Sequence, residues 1–379
     1  MRNEANLKSG NSKGTIAVLV YDYSIKGGAQ RVATNVFNEI KRRGYSIVFI
    51  SVFMKHDTLS FTLDKNIPFF YLNQGEGHLV RTFLQSYKKL SKIVKDNKVS
   101  LIIADGYSVD LLASMISLFH KIPMVHWEHT SLANAHYNSD VVSRIYRFVG
   151  VHISKVIIAL TEKNKAEFQK KYWTRKNKVL VIPNWIEGIE NEAPHYNPES
   201  KTIVSVGRAD AVKGFDRLVE VASIIEKNHN DWEWQIWGDF ETSHGKEIAQ
   251  LIQKKGLDDF IKIKGTTDRM NCIYNNAAMI VLTSYYEGLP MVLIEAKANR
   301  LPAISFDIET GPSEIIEDGV NGYLINNNNV DDMANKIITL MDNKEKRIEF
   351  SKNTHLGIEK YAKERLVQEW VNMLNLFNC

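Results

Sequence analysis

Two carboxylates bracket one short stretch of this 379-residue chain, Glu287-Gly-Leu-Pro-Met-Val-Leu-Ile-Glu295, with seven residues between them. If the stretch is helical, two turns bring both acids to nearly the same face, where they could meet one ligand. The amides of Gly288, Leu289, Met291 and Val292 fall at the expected start of that helix. Unpaired N–H groups and the macrodipole there favour an anion such as a diphosphate. Pro290 suits the first helical position, because the hydrogen it lacks would have no partner there. Carboxylates for hydroxyls beside amides for phosphate suit a sugar nucleotide. An ordinary surface loop with two solvated glutamates has the same spacing. Two cations, Arg208 and Lys213, follow another apolar run. A leaving diphosphate needs such a pair, Arg as a fork and Lys as a point charge, although two solvated cations would look alike. Glu128-His129-Thr130 closes a further apolar run. An imidazole there can donate to a sugar hydroxyl or, when charged, stabilise phosphate. His126, inside the run, reads as a packed histidine.

The elements that must hold these groups are strands feeding helices. Met279–Leu282 is apolar and β-rich, and the Gly-Leu-Pro turn and a helix-compatible segment follow it, a strand-loop-helix unit of an α/β sheet. Ligands of such sheets bind at the carboxyl ends of the strands. Thr15–Tyr21, Ser46–Phe53, Leu101–Ala104, Met124–Trp127, Val156–Leu160 and Val179–Ile182 read as strands separated mostly by helical segments. That alternation predicts a parallel, doubly wound sheet. Gly27-Gly28 and a helical segment, Ala29–Arg43, follow the first strand, but no Gly-x-Gly-x-x-Gly is present, so a nicotinamide site has little support. A second α/β domain begins at Thr202, with strands at Thr202–Val206 and Ile261–Lys264. The chain is too long for one core, and the expected division is a disordered leader (1–14), a first domain (15–184), a linker (185–200), a second domain (201–355) and a final segment (356–379).

Composition narrows the classes. With 44% hydrophobic and 24% charged residues the chain is globular rather than disordered. Two cysteines, Cys272 and Cys379, give no disulfide framework, and a cytoplasmic protein without a membrane span is expected. Net charge is +4, yet residues 1–185 hold 27 Lys and Arg against 13 Asp and Glu, a net of +14, and the remainder carries −10. A basic half suits nucleic acid or an anionic membrane; no nucleic-acid motif accompanies it, so the membrane is favoured. Within it, His78–Asn97 is an amphipathic basic helix: Leu79, Phe83, Tyr87, Leu90 and Val94 on one side, Arg81, Lys88, Lys89, Lys92 and Lys95 on others. An ordinary helix packed on the sheet with a solvated lysine face fits the same pattern.

The Glu-x7-Glu loop, together with Ile304–Ile325, resembles the retaining glycosyltransferases of family four, and the similarity extends from Thr15 onward. The resemblance implies the GT-B fold, two Rossmann-like doubly wound domains facing each other across a cleft, with a UDP-sugar as donor, a saccharide acceptor and no cofactor. It implies that Gly28 lies over the donor's phosphates, that His129 reaches the donor sugar, and that Arg208 and Lys213 bind the diphosphate. Glu287 would hold sugar hydroxyls and Glu295 the ribose, with Gly288, Leu289, Met291 and Val292 at the phosphates. Family members acting on lipid-linked acceptors use a basic helix like 78–97 against the bilayer or the acceptor's diphosphate, which suggests a polyprenyl-diphosphate-linked saccharide as acceptor and a peripheral enzyme on the inner face of the cytoplasmic membrane. Ile261–Thr267 would hold the base, and Glu359–Phe377 would form one long helix crossing back to the first domain. The chain departs from the family at Gly238-Asp239-Phe240, where a second glycine is usual, which puts close backbone approach there in question. No metal is implied, because Arg208, Lys213 and the helix start can neutralise the diphosphate; Asp307 and Glu309 are a poor metal motif. Fold alone does not separate this activity from a sugar-nucleotide epimerase, a phosphorylase or a non-catalytic subunit of a glycan-assembly complex.

Overall fold

A computed structural model describes residues 14–132, 141–186, 196–267 and 269–377. The expected leader, apart from Gly14, and most of the expected linker lie outside them. The chain divides into two compact units. Unit 1 holds residues up to 129, 138–182 and 366–379; unit 2 holds 130–137 and 183–365.

Unit 1 alternates β1 (Thr15–Asp22), α1 (Gly28–Arg42), β2 (Ser46–Met54), β3 (Phe69–Gln74), α2 (Leu79–Asp96), β4 (Val99–Asp105), α3 (Asp110–His120), β5 (Met124–Trp127), α4 (Val141–Ile153), β6 (Val156–Ala159), α5 (Glu162–Tyr172) and β7 (Val179–Val181). Its seven strands are parallel, in the order β3-β2-β1-β4-β5-β6-β7. Helices cover both faces, so the central strands read as unbroken apolar runs instead of alternating ones. On one face Ala17, Leu19, Val48 and Ile50 pack with Leu79, Leu90 and Val94 of α2 and with Leu112 and Ile116 of α3. On the other, the rings of Phe37, Trp127 and Trp370 meet edge to face within 6.0 Å. Sequence reasoning did not foresee β3: it is a six-residue edge strand, half exposed, and it starts directly after Pro68.

Unit 2 contains β8 (Thr202–Val206), α6 (Phe215–Ile225), β9 (Glu233–Trp237), α7 (Ser243–Lys254), β10 (Ile261–Gly265), α8 (Met270–Asn275), β11 (Met279–Leu282), α9 (Met291–Ala298), β12 (Ala303–Asp307), β13 (Gly322–Asn326), α10 (Val330–Asp342) and α11 (Lys344–Asn353). The sheet is again parallel, ordered β10-β9-β8-β11-β12-β13. Its core gathers Ile203, Trp234, Ile236, Val281 and Phe306 from strands with Leu218, Ala222, Ile248 and Ile337 from helices. β12 and β13 are further strands that the sequence reading did not mark.

The final segment is a correction: Glu359–Phe377 is not one helix. A 3-10 turn at Ile358–Tyr361 gives way to an extended Ala362 (φ −68°, ψ 134°), and α12 runs over Lys363–Asn375. Ala362 forms a parallel bridge with Ile186, and buried Tyr361 donates its hydroxyl to the Glu314 carbonyl at 3.0 Å. Those two attachments hold the chain out of helical geometry. Phe240 packs its ring on Phe215, with centroids 5.2 Å apart. Close backbone approach is made by its neighbours: a Cβ on Gly238 (φ +153°) would stand 1.8 Å from the Gly207 carbonyl oxygen, and one on Gly245 would stand 2.3 Å from that of Phe240.

Candidate functional site

In unit 2 the chemistry-bearing side chains gather where β8 and β11 end. Arg208 follows β8 directly, and Lys213 closes the 3-10 turn Ala211–Lys213. Gly214, in the left-handed region at φ +63°, then starts α6. A Cβ there would lie 2.1 Å from the Thr283 carbonyl oxygen, so glycine lets this turn press on the end of β11. Lys213 reaches Glu287 with Nζ 2.8 Å from Oε1, and the Ser284 hydroxyl donates to the same oxygen at 2.7 Å. The Thr310 hydroxyl holds the Glu287 carbonyl at 2.6 Å. Glu287 is thus fixed on three sides, with Oε2 free of a protein partner among the described residues. Arg208, half exposed, forks onto Asp210 at 2.8 Å through both Nε and Nη2.

One part of the spacing argument fails. Pro290 is the cap (φ −71°, ψ 101°) and helix α9 begins at Met291, so Glu287 lies in the loop before the helix and shares no helical face with Glu295. Glu295 stands within α9 and accepts from the Tyr274 hydroxyl at 2.8 Å. The amides of Met291 and Val292 do open the helix, and Leu293 donates to the Pro290 carbonyl at 3.0 Å. Gly288 and buried Leu289 lie in the loop.

Arg217 is the residue that motif and spacing did not reveal. It is 3% exposed, and its guanidinium lies between the rings of Tyr285 and Phe306, 3.9 and 4.2 Å from their centroids. All five N–H groups are used: Nε and Nη2 to the Thr283 carbonyl, Nη2 also to that of Ser284 at 2.6 Å, and Nη1 to the side chains of Asn327 and Asn328 at 2.9 and 2.8 Å. It therefore ties the ends of β11 and β13 together beneath Ser284 and Glu287. A signal existed: Arg217, Val221 and Ile225 fall four apart on the buried stripe of α6, an unusual place for a cation.

In unit 1, Gly28 is the first residue of α1, and a Cβ there would meet open space. His129 follows β5. Its ring lies 4.4 Å from that of Trp127 and its Nε2 pairs with Asp105 Oδ1 at the end of β4, so Nδ1 is the nitrogen left for a ligand. Its backbone N–H donates to Glu128 Oε1 at 3.1 Å. Beneath it is a buried quartet: His126 Nδ1 stands 2.9 Å from Asp110 and Nε2 3.5 Å from Glu128, while Arg147 Nε stands 3.0 Å from Glu128. Burial would lower His126, but the Asp110 and Glu128 carboxylates outweigh it and raise it to about 9. Burial pushes Asp110 up to about 6. Asp105, also missed, sits at the carboxyl end of an apolar run just as His129 does.

On α2, Arg81, Lys88, Lys92 and Lys95 are exposed, with Val80 62% and Leu84 75% exposed among them. Lys89 is exposed as well, and its ammonium donates to the Leu72 carbonyl of β3. Among the described residues no helix is long and apolar enough to cross a membrane, and no cluster of three His, Cys, Asp or Glu could hold a metal.

Comparison with known proteins gives matching assignments for both units. A family model of group 1 glycosyl transferases matches residues 189–356, and one of glycosyltransferase family 4 matches 26–187. An uncharacterized glycosyltransferase of Haemophilus influenzae is 28% identical over 95% of this chain and 99% of its own. The poly(ribitol-phosphate) alpha-N-acetylglucosaminyltransferase of Staphylococcus aureus is 31% identical over 80% of this chain, which covers 63% of that longer protein. The crystal structure of Anabaena HepE in complex with UDP-glucose superposes with a TM-score of 0.79 at 18% identity, covering 95% of this chain and 99% of that one.

Proposed function

Because this chain belongs to the family-four glycosyltransferases of the GT-B fold and to bacterial surface-glycan synthesis, we propose that it moves a hexose or N-acetylhexosamine from a UDP-sugar to a saccharide acceptor with retention at the anomeric carbon. The observation that carries the reading is the Lys213–Glu287 pair at 2.8 Å, set at the carboxyl end of a parallel sheet between Arg208 and the start of α9. Cations and helix amides there suit a diphosphate, and a fixed carboxylate suits sugar hydroxyls. In the reaction, the bond from C1 to the diphosphate oxygen breaks and a bond to the acceptor oxygen forms on the same face. The acceptor's hydroxyl proton passes to the leaving phosphate, and UDP departs. Glu287 positions the sugar, Arg208, Lys213 and the amides of Gly288, Leu289, Met291 and Val292 take the developing charge, and Glu295 holds the ribose. Gly28 serves the donor's phosphates, and His129, oriented by Asp105, serves the transferred sugar through Nδ1. The acceptor of this reading is polyprenyl-diphosphate-linked and is met at the inner face of the cytoplasmic membrane, where Arg81, Lys88, Lys92 and Lys95 face anionic lipid. No metal takes part.

Mass-spectrometric screening of UDP-sugars with lipid-linked and soluble acceptors tests this. The expected product is an acceptor heavier by one hexose or N-acetylhexosamine. Conversion of one UDP-sugar into another without acceptor would replace the reading with an epimerase.

A further inference from the structure

At the amino ends of β6 and β7, the far end of unit 1's sheet from His129, lies a cavity of about 550 Å³ that the transfer reaction does not use. Such a volume suits a small ligand. Lys155, directly before β6, and Lys178, directly before β7, line it with Arg175 and Trp173. Among the described residues no carboxylate pairs with Lys155, Arg175 or Lys178. Lys178 donates to the His152 carbonyl at 3.1 Å, and burial, with Lys155 close by, lowers its pKa. Thr174 on the same wall has a shielded hydroxyl without a partner among the described residues. Trp173 is the more telling feature. It ends α5 in the left-handed region (φ +48°), where helices usually place glycine, and its side chain is 85% exposed. The left-handed backbone is unfavourable for a non-glycine residue, and it presents an exposed indole in the lining of the same cavity as the three cations.

We propose that this cavity is a binding site for a phosphate ester, with Lys155, Arg175 and Lys178 taking the phosphate and the Trp173 indole covering the organic part. The ester can be a soluble polyol phosphate or the headgroup of an anionic lipid. The site is separate from the donor chemistry, and the proposal does not rest on the transfer reading.

Two arms identify the source, both with the full chain: calorimetric titration with sn-glycerol 1-phosphate, and co-sedimentation with phosphatidylglycerol against phosphatidylcholine vesicles. Binding in the first arm, or selective binding to phosphatidylglycerol in the second, is expected. It should weaken at least about tenfold, roughly 1.4 kcal/mol, in the Lys155→Gln/Lys178→Gln variant and in Trp173→Gly, and survive in Trp173→Phe. Transfer to a soluble acceptor should be unchanged in all three. Trp173→Gly should also melt at the same or a higher temperature, since glycine relieves the left-handed turn. No binding in either arm, equal binding by the variants, or a lower melting temperature for Trp173→Gly would overturn the assignment and make Trp173 a structural cap.

Discussion

Replacing Arg217 by Lys keeps the charge and removes the plane. The guanidinium serves four acceptors, the Thr283 and Ser284 carbonyls and the side-chain oxygens of Asn327 and Asn328, from three nitrogens held between two rings. One ammonium nitrogen has three hydrogens and cannot serve the buried Thr283 and Ser284 carbonyls and the two exposed asparagines at once; where a buried carbonyl loses its donor the cost is about 1–3 kcal/mol. Giving up the stacked guanidinium adds about 1–2 kcal/mol. A total of about 2–5 kcal/mol corresponds, in a unit of this size, to a Tm drop of roughly 4–20 °C. The freed strand end also carries Ser284, whose hydroxyl anchors Glu287. Below its melting temperature the variant should therefore lose kcat about tenfold or more, the equivalent of 1.4 kcal/mol of misplaced alignment, with a smaller change in KM for the donor. Calorimetric melting and steady-state kinetics on one preparation check both. A Lys variant that melts within about 2 °C of the parent, or one that is destabilised yet turns over at the parental kcat, would refute the idea that Arg217 sets the Glu287 loop.

Glu287→Ala and Lys213→Ala should each cost two to three decades in kcat, about 2.7–4 kcal/mol, with the far-ultraviolet spectrum unchanged; parental turnover in either would contradict their placement. Excess chelator should leave transfer unaltered, and an absolute need for manganese or magnesium would show that the diphosphate is neutralised in another way. His126 has a folded pKa raised from 6.5 to about 9, so its contribution is full below pH 6.5 and disappears as pH rises through 9. Melting of the parent should accordingly fall between pH 7 and 9.5 more steeply than that of His126→Gln, and parallel profiles would count against a charged quartet. Changing Lys88, Lys92 and Lys95 together to Gln should reduce sedimentation with anionic vesicles at low salt, at about 1 kcal/mol per lysine; undiminished binding would leave α2 as packing alone.

The parallel architecture was legible because central strands covered on both faces are apolar throughout, as β1, β2 and β4 are. Edge strands such as β3 hide, since half their residues meet water. At the site, the residue types were legible as two cations beside one strand end and an acid beside another, and the fold brings Lys213 to Glu287. The geometry behind the acid pair was not, because proline at φ near −70° serves a cap and a first helical turn equally well, and Pro290 alone does not tell where α9 starts. Arg217 and Asp105 escaped for a different reason: spacing puts Arg217 on a buried face but does not name its partners, which are carbonyls and asparagines distant in sequence, and Asp105 pairs with a histidine 24 residues away.

The bridge between Ile186 and Ala362 has a topological consequence. Apart from residues 130–137, unit 2 is one continuous stretch, 183–365, and near its two ends Ile186 and Ala362 stand side by side in one short parallel pairing. Its ends are therefore neighbours, as in a domain inserted into a host loop. A chain closed on itself at this point would need a linker of few residues and would lose little conformational freedom in doing so. The connectivity of unit 2 accordingly lends itself to circular permutation, with new termini opened in an exposed turn away from the site, such as the one at Lys255 and Gly256.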